Sequence, residues 1–275
     1  MENIKLSNEI EIPKIGFGTF PMKGIRVIKA ILLALKFGYK RIDTASAYGN
    51  ERGIGIALKL SLMPRNNYFI TTKLSNREQE NGDIEKALRK SMKRLGVKYI
   101  DLYLMHWPNP ETYINSWKEM EKLYKKGLVK AIGVCNFHQH HLDKLMKECE
   151  IVPMVNQIEI TPLLTQEPLI KYCKEKNIIV EAYSPLGRMN EKIKNNDVLK
   201  KIANNKNKTI SQIILRWNYQ KERCFSCKSE NMKRIKENID IFDFKLSKSE
   251  IIEIDQLNID FRIRHNPDNC DFSKL

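Results

Sequence analysis

DIEKALRKSMKRLGVKYIDLYLMHWP, residues 83–108, carries one whole unit of the fold. Asp83 opens a helical pattern of apolar residues that runs to Leu95 and stops at Gly96, so a capping carboxylate and a terminal glycine bound one helix. The next apolar run, 101–106, is short enough for a strand and ends on an imidazole, His106, before Trp107 and Pro108. The same alternation extends in both directions. Strands are expected at 15–19, 41–44, 69–73, 101–106, 131–136, 155–159, 178–184 and 224–228. Helices are expected at 25–37, 83–95 and 117–126, which stops at Gly127, and at 209–217, opened by the capping-box pattern Thr209-Ile-Ser-Gln212. Strands separated by helices imply a parallel sheet, and eight of them close a barrel. The fold class is therefore α/β, a (β/α)8 TIM barrel. Residues 4–12, around Ser7-Asn8, read as a β-hairpin able to plug the barrel floor, and 258–275 as an irregular C-terminal tail. No Pro/Ser-rich linker interrupts the pattern, so residues 1–275 are expected to form a single domain.

Composition narrows the function. No apolar run is long enough to cross a bilayer, and the start, MENIKLSNEIEIPK, lacks a basic-then-apolar leader pattern. A soluble, cytoplasmic protein with no membrane partner is the expectation. The six cysteines are scattered, which suits reduced thiols. Cys224 and Cys227 form a CxxC inside an expected strand, where positions three apart face opposite sides, and no second pair exists to complete a zinc site. Two structural thiols are the simpler reading. The formal net charge of +15 could suit an acidic partner such as nucleic acid. The lysines are spread over nearly every segment, however, and RNP-type and zinc-finger motifs are absent. A basic surface that gathers small anions fits better, with no nucleic-acid partner and a monomer as the default.

The strand ends hold the chemistry. Asp43, Lys73, His106, Asn136 and Gln157 close successive strands, followed by Tyr183-Ser184 and Lys228-Ser229. In this barrel the C-terminal strand ends form the active site. Tyr48, five residues past Asp43, can lean over that rim. A phenol titrates near pH 10, roughly, and a nearby ammonium lowers that value. Lys73 can supply the charge, Asp43 can hold Lys73, and His106 can orient a carbonyl oxygen. Such a group suits proton donation to an oxygen as hydride reaches its carbon. Taken singly, each residue has a structural explanation: an ion pair, a strand cap, a half-buried loop tyrosine. Four at matching strand ends favour the functional one.

These residues lie in longer motifs: Asp43-Thr-Ala-Ser-Ala-Tyr48-Gly-Asn-Glu51, Gly133-Val-Cys-Asn-Phe137, Asn156-Gln-Ile-Glu159, Ala182-Tyr-Ser-Pro-Leu-Gly187 and Arg234-Ile-Lys-Glu-Asn238. Together with the stretch through His106, they resemble the aldo-keto reductase family over residues 12–272. The short loops and the ending Asn266-Pro-Asp-Asn-Cys-Asp-Phe272 are most similar to the prokaryotic-type branch, with its diketogluconate, methylglyoxal and prostaglandin F-type reductases.

The resemblance implies NADPH-dependent reduction of aldehydes or ketones by a tetrad of Asp43, Tyr48, Lys73 and His106, with Tyr48 as general acid. It implies that Asn136 and Gln157 hold the nicotinamide carboxamide, that Tyr183 stacks on the ring, and that Ser184 and Leu186 meet the pyrophosphate. Lys228, Ser229 and Arg234 would grip the adenosine phosphate, with Glu237 and Asn238 beside the adenine. Two cations around a serine make an anion clamp that NADH would leave unpaired. The dinucleotide motif of other folds is absent; Gly53-Ile-Gly55 lacks a preceding strand.

Two departures stand out. Cys135 replaces the usual serine before Asn136, which weakens a hydrogen-bonding group. Ser226-Cys227 replaces the usual Ile-Pro before Lys228, which puts the path of the eighth strand in question. Phe20, Trp107, His106 and part of the tail are expected to wall a pocket for a small to medium carbonyl substrate. Arg262, Arg264 and His265 either attract an anionic group on that substrate or are solvated surface charges. Two other readings remain: a non-catalytic binding protein on the same barrel, and a basic nucleic-acid or metal-binding protein using His138, His140 and His141 with the CxxC.

Overall fold

Alternating short buried strands and amphipathic helices close on themselves in the structure, a computed structural model that describes residues 2–274. Met1 and Leu275, the ends of the expected single-domain span, lie outside the described residues. A two-stranded antiparallel hairpin, β1 (Asn3–Lys5) and β2 (Glu11–Pro13), comes first. The barrel strands are β3 (Ile15–Gly18), β4 (Arg41–Asp43), β5 (Phe69–Leu74), β6 (Leu102–Met105), β7 (Ile132–Cys135), β8 (Val155–Glu159), β9 (Ile179–Tyr183) and β10 (Cys224–Cys227). All pair in parallel, and β10 pairs with β3 to close the ring. The main outer helices are α1 (Gly24–Lys36), α2 (Glu51–Ser61), α3 (Asn76–Glu80), α4 (Ile84–Leu95), α5 (Tyr113–Lys125) and α6 (Gln139–Met146). They continue with α7 (Glu167–Glu175), α8 (Glu191–Lys194), α9 (Asp197–Lys206), α10 (Ile210–Gln220), α11 (Met232–Ile239) and α12 (Lys248–Asp255).

Local chemistry sets the ends of these elements. The Asp83 carboxylate accepts from Lys86 N at 3.0 Å, and Gly96 turns the chain out of α4 at φ 70°. Thr209 and Gln212 complete the expected capping box on α10. Several strands stop one residue short of expectation because their polar ends leave the ladder while keeping one bond to it. His106 N still donates to Leu74 O at 3.0 Å, and Asn136 N to Gln157 O at 2.9 Å although Asn136 has swung to φ 64°.

The hairpin covers the floor as expected. Leu6 and Ile12 are buried, and the Asn8 amide donates to Lys130 O at 2.9 Å, just ahead of β7. The opposite rim, where the strands end, stays open. Inside the barrel lies a fully buried ion pair, Arg41 Nη1 to Glu181 Oε2 at 2.5 Å. Ser226 Oγ donates to the other Glu181 oxygen at 2.7 Å, and Arg41 Nη2 to Phe225 O at 3.0 Å. Gly16 makes room for them: a Cβ there would stand 2.5 Å from Ser226 Oγ and 2.9 Å from the guanidinium. The Ser226-Cys227 departure therefore leaves β10 in register, with Phe225 opposite Ile15 and Cys227 opposite Phe17. Ser226 serves the buried charge pair. Burial pushes the Cys224 thiol up to about 12 and that of Cys227 to about 11, so both stay protonated. Among the described residues no helix is long and apolar enough to cross a membrane.

Candidate active site

Asp43 ends β4, Lys73 lies one residue before the end of β5, and His106 follows β6. Tyr48 ends a single tight helical turn, Ser46–Tyr48, that Gly49 closes in the left-handed region at φ 65°. Asn50 fixes this loop. Its carbonyl accepts from Thr44 Oγ1 at 2.7 Å, and its amide donates to Thr19 O at 3.2 Å and Met22 O at 3.0 Å. The loops bearing Tyr48 and Phe20 are thereby tied together. The Ser46 hydroxyl lies between Lys73 O, at 3.0 Å, and the Glu78 carboxylate. Lys73 Nζ donates to Asp43 Oδ1 at 2.6 Å and to Thr44 O at 2.8 Å, and stands 5.3 Å from the centre of the Tyr48 ring. That ring meets His106 edge-on at 5.6 Å and Phe20 at 5.0 Å.

The electrostatics differ from the sequence expectation at one point. Burial raises the Tyr48 phenol; the Lys73 ammonium pulls the other way, and the Asp43 carboxylate offsets part of that pull. The net direction is above an ordinary tyrosine, not below it, because removal from water outweighs a cation already paired. Tyr48 thus holds its proton at neutral pH. Burial disfavours charge on Lys73, but its neighbours, the Asp43 carboxylate foremost, more than compensate, so it remains an ammonium.

Burial first, then the charges of Lys73 and Arg264, lower His106 to about 3. Its imidazole is neutral across the physiological range. A pH profile of kcat/KM should therefore show no His106 limb between about pH 5 and 8. Because its folded pKa lies below the unfolded value of 6.5, the unfolded chain takes up the proton first. His106 should make the fold less stable as pH falls from there toward about 3, which denaturation at stepped pH would register.

A cleft of about 760 Å³ opens at this rim. Phe20, Asp43, Tyr48, His106 and Trp107 line it, as do Asn136, Gln157, Tyr183, Ser184, Leu186 and Lys228. Lys73 stands behind Asp43. Asn136 donates to His106 O at 3.0 Å and accepts from the Tyr183 hydroxyl at 2.8 Å. Gln157 donates to Asp43 Oδ2 at 2.8 Å, and its carbonyl faces the Cys135 thiol at 3.9 Å. Burial holds that thiol well above its ordinary pKa, so Cys135 is neutral. Ser229, Arg234, Glu237 and Asn238 do not line the cleft but continue from Lys228 into α11. Ser229 Oγ accepts from Asn231 N at 3.1 Å, Arg234 is exposed in the first turn, Glu237 accepts from Thr209 Oγ1 at 2.7 Å, and Asn238 is buried.

One contributor escaped sequence reasoning. Glu159 ends β8 fully buried, and its carboxylate accepts from Ile263 N at 2.7 Å and Arg264 N at 2.9 Å. It fixes the tail over the rim, so that Arg264 and His265 line the cleft. The signal was present: an acid closing the strand that carries Asn156 and Gln157. Asp268 of the tail, not the CxxC, meets the histidines that open α6. Its Oδ2 lies 2.8 Å from His138 Nδ1 and its Oδ1 lies 3.4 Å from His140 Nε2.

Known proteins are similar to this chain over nearly its full length. The profile of the aldo/keto reductase family matches residues 14–259. The glyoxal reductase of Bacillus subtilis is 45% identical over 272 residues, which cover 98% of each chain. The crystal structure of an aldo-keto reductase enzyme from a Medee basin deep-sea metagenome library superposes with a TM-score of 0.93 at 43% identity, covering 98% of this chain and 99% of that one. A Bombyx mori aldo-keto reductase, solved in complex with NADP, gives 0.89 at 34% identity, covering 97% and 96%. Eight parallel strands, an open rim where Asp43, Tyr48, Lys73 and His106 meet, and kinship over nearly the full length agree: the chain belongs to the aldo/keto reductase family.

Proposed function

We propose that this protein reduces aldehydes and ketones to alcohols with NADPH, using Tyr48 as the general acid. The observation that carries the reading is the meeting of Asp43, Tyr48, Lys73 and His106 at the open rim. The donor set fits the cofactor. Lys228, Ser229 and Arg234 stand at the entry to α11, where cations and a helix N-terminus favour a phosphate, and Glu230 holds Lys228 there at 2.9 Å. Asn136 and Gln157 offer amides for a carboxamide, Tyr183 offers a ring, Ser184 and Leu186 would meet the pyrophosphate, and Glu237 and Asn238 would sit by the adenine. Bound NADPH supplies the hydride that reaches the carbonyl carbon.

The chain's own residues handle the oxygen. The neutral His106 imidazole hydrogen-bonds the carbonyl oxygen and orients it, and Phe20 and Trp107 wall the substrate. Tyr48 Oη gives its proton to that oxygen as negative charge develops. Lys73 stabilises the phenolate left behind, and Asp43 keeps Lys73 charged and in place. With Cys135 a poor hydrogen-bonding group, the carboxamide rests on Asn136 and Gln157. The chain acts as one domain, as a cytoplasmic monomer on a small carbonyl substrate, without a nucleic-acid partner.

A carbonyl panel assayed with NADPH and NADH side by side tests this. NADPH should be consumed with small dicarbonyls and aldehydes, and preferred over NADH. Arg234→Ala should raise KM for NADPH about tenfold, the low end for an exposed charge-assisted bond, and leave KM for NADH unchanged. Tight NADPH binding without turnover anywhere on the panel would instead mark a binding protein on a reductase barrel.

A further inference from the structure

The tail brings cations to the cleft that the reaction does not use. The structure separates the three whose role the sequence left open. Arg262 turns to His138, with Nη2 3.3 Å from Nε2. Arg264 and His265 line the cleft. The Arg264 guanidinium carbon stands 5.7 Å from the centre of the Phe20 ring, and the His265 ring meets Trp107 at 6.3 Å. Both side chains thus stand on the aromatic wall assigned to the substrate. The Arg264 charge also reaches the His106 ring, which it helps keep neutral.

This placement is held in the fold. The buried Glu159 carboxylate grips the backbone N–H groups of Ile263 and Arg264. The side chain of Arg264 is half-buried, and among the described residues no carboxylate pairs with its guanidinium. A fixed, partly desolvated guanidinium is a bidentate receptor for a carboxylate or phosphate. The cofactor's adenosine phosphate has its own cations, Lys228 and Arg234, at the start of α11. Arg264 instead stands on the Phe20 wall assigned to the substrate, which directs it to the other ligand. The net charge of +15 raises the concentration of such ligands at the surface.

We propose that Arg264, with His265 beside it, forms an anion subsite, and that the preferred substrates are small aldehydes or ketones carrying a carboxylate or phosphate near the carbonyl. The inference rests on the reductase reading. Its test compares para-carboxybenzaldehyde with its methyl ester, carbonyls of similar shape that differ in charge, and glyceraldehyde phosphate with glyceraldehyde, each ratio being read against the Arg264→Gln variant. The parent enzyme and the Arg264→Gln and Arg264→Lys variants are assayed with NADPH at low salt.

The parent should favour the anionic member of at least one pair by about tenfold in kcat/KM, the size of one charge-assisted contact. The pair with the larger ratio identifies the anion. Arg264→Gln should abolish that ratio through the KM of the anionic member, and Arg264→Lys should restore part of it. The NADPH Kd, read from protein fluorescence, should be the same in all three proteins. No anion preference in the parent, equal loss on both members of a pair, or a weakened NADPH Kd would overturn the subsite. In each of those cases the neutral carbonyls are still reduced, so the reductase reading stands. A parent that reduces no member of either pair would overturn that reading as well.

Discussion

Tyr48→Phe should lower kcat for carbonyl reduction by about a hundredfold to ten-thousandfold, or roughly 3–5 kcal/mol of transition-state stabilisation, with the NADPH Kd unchanged. The substitution removes one oxygen and keeps the ring, so the contacts with Phe20 and His106 survive. The loop survives as well, because Thr44 and Asn50 hold it without the phenol. Nothing nearby can take over the proton. His106, lowered to about 3, carries no surplus proton at neutral pH. Lys73 is held as an ammonium by Asp43 and sits behind it. The loss should fall on kcat more than on KM, since the proton moves only in the transition state. A phenylalanine variant as fast as the parent would remove Tyr48 from the mechanism.

Glu181→Ala should cost about 3–5 kcal/mol of folding stability, the usual penalty for stranding one member of a buried ion pair. Arg41 and Glu181 are fully buried and 2.5 Å apart, and Ser226 donates to the same carboxylate. Removing the acid leaves a guanidinium inside the barrel that is hydrogen-bonded to Lys14 O and Phe225 O but has lost its paired carboxylate. Urea denaturation would show the loss as a fall in midpoint. The double variant Arg41→Met with Glu181→Leu should recover most of it, because an apolar pair carries no desolvation penalty. A single variant as stable as the parent would mean that the pair holds nothing together.

The barrel was legible because its signals are local. A cap at Asp83, a stop at Gly96 and a polar residue closing each strand are read within a few positions, and Asp43, Lys73, His106, Asn136 and Gln157 fall on one rim for that reason. The hidden features are those that depend on removal from water or on distant partners. Whether Tyr48 beside Lys73 ends up more or less acidic than an ordinary phenol depends on how deeply it is buried. Glu159 meets residues 263 and 264, Ser226 meets Glu181, and His138 meets Asp268 only after the chain has folded. The Ser226-Cys227 departure looked like damage to a strand because its charged partner lay in another one.

The ring closes between its first strand and its last. β3 pairs with β10, and Lys14 reaches Glu222, 2.6 Å away. During synthesis, therefore, one edge of β3 waits without a partner until residues 224–227 leave the ribosome, and Arg41 waits for Glu181. A nascent chain that stalls short of Cys224 carries two open edges, and such edges invite pairing with another copy. Release of the segment that carries Cys224–Cys227 is thus the event that turns a sticky arc into a closed ring.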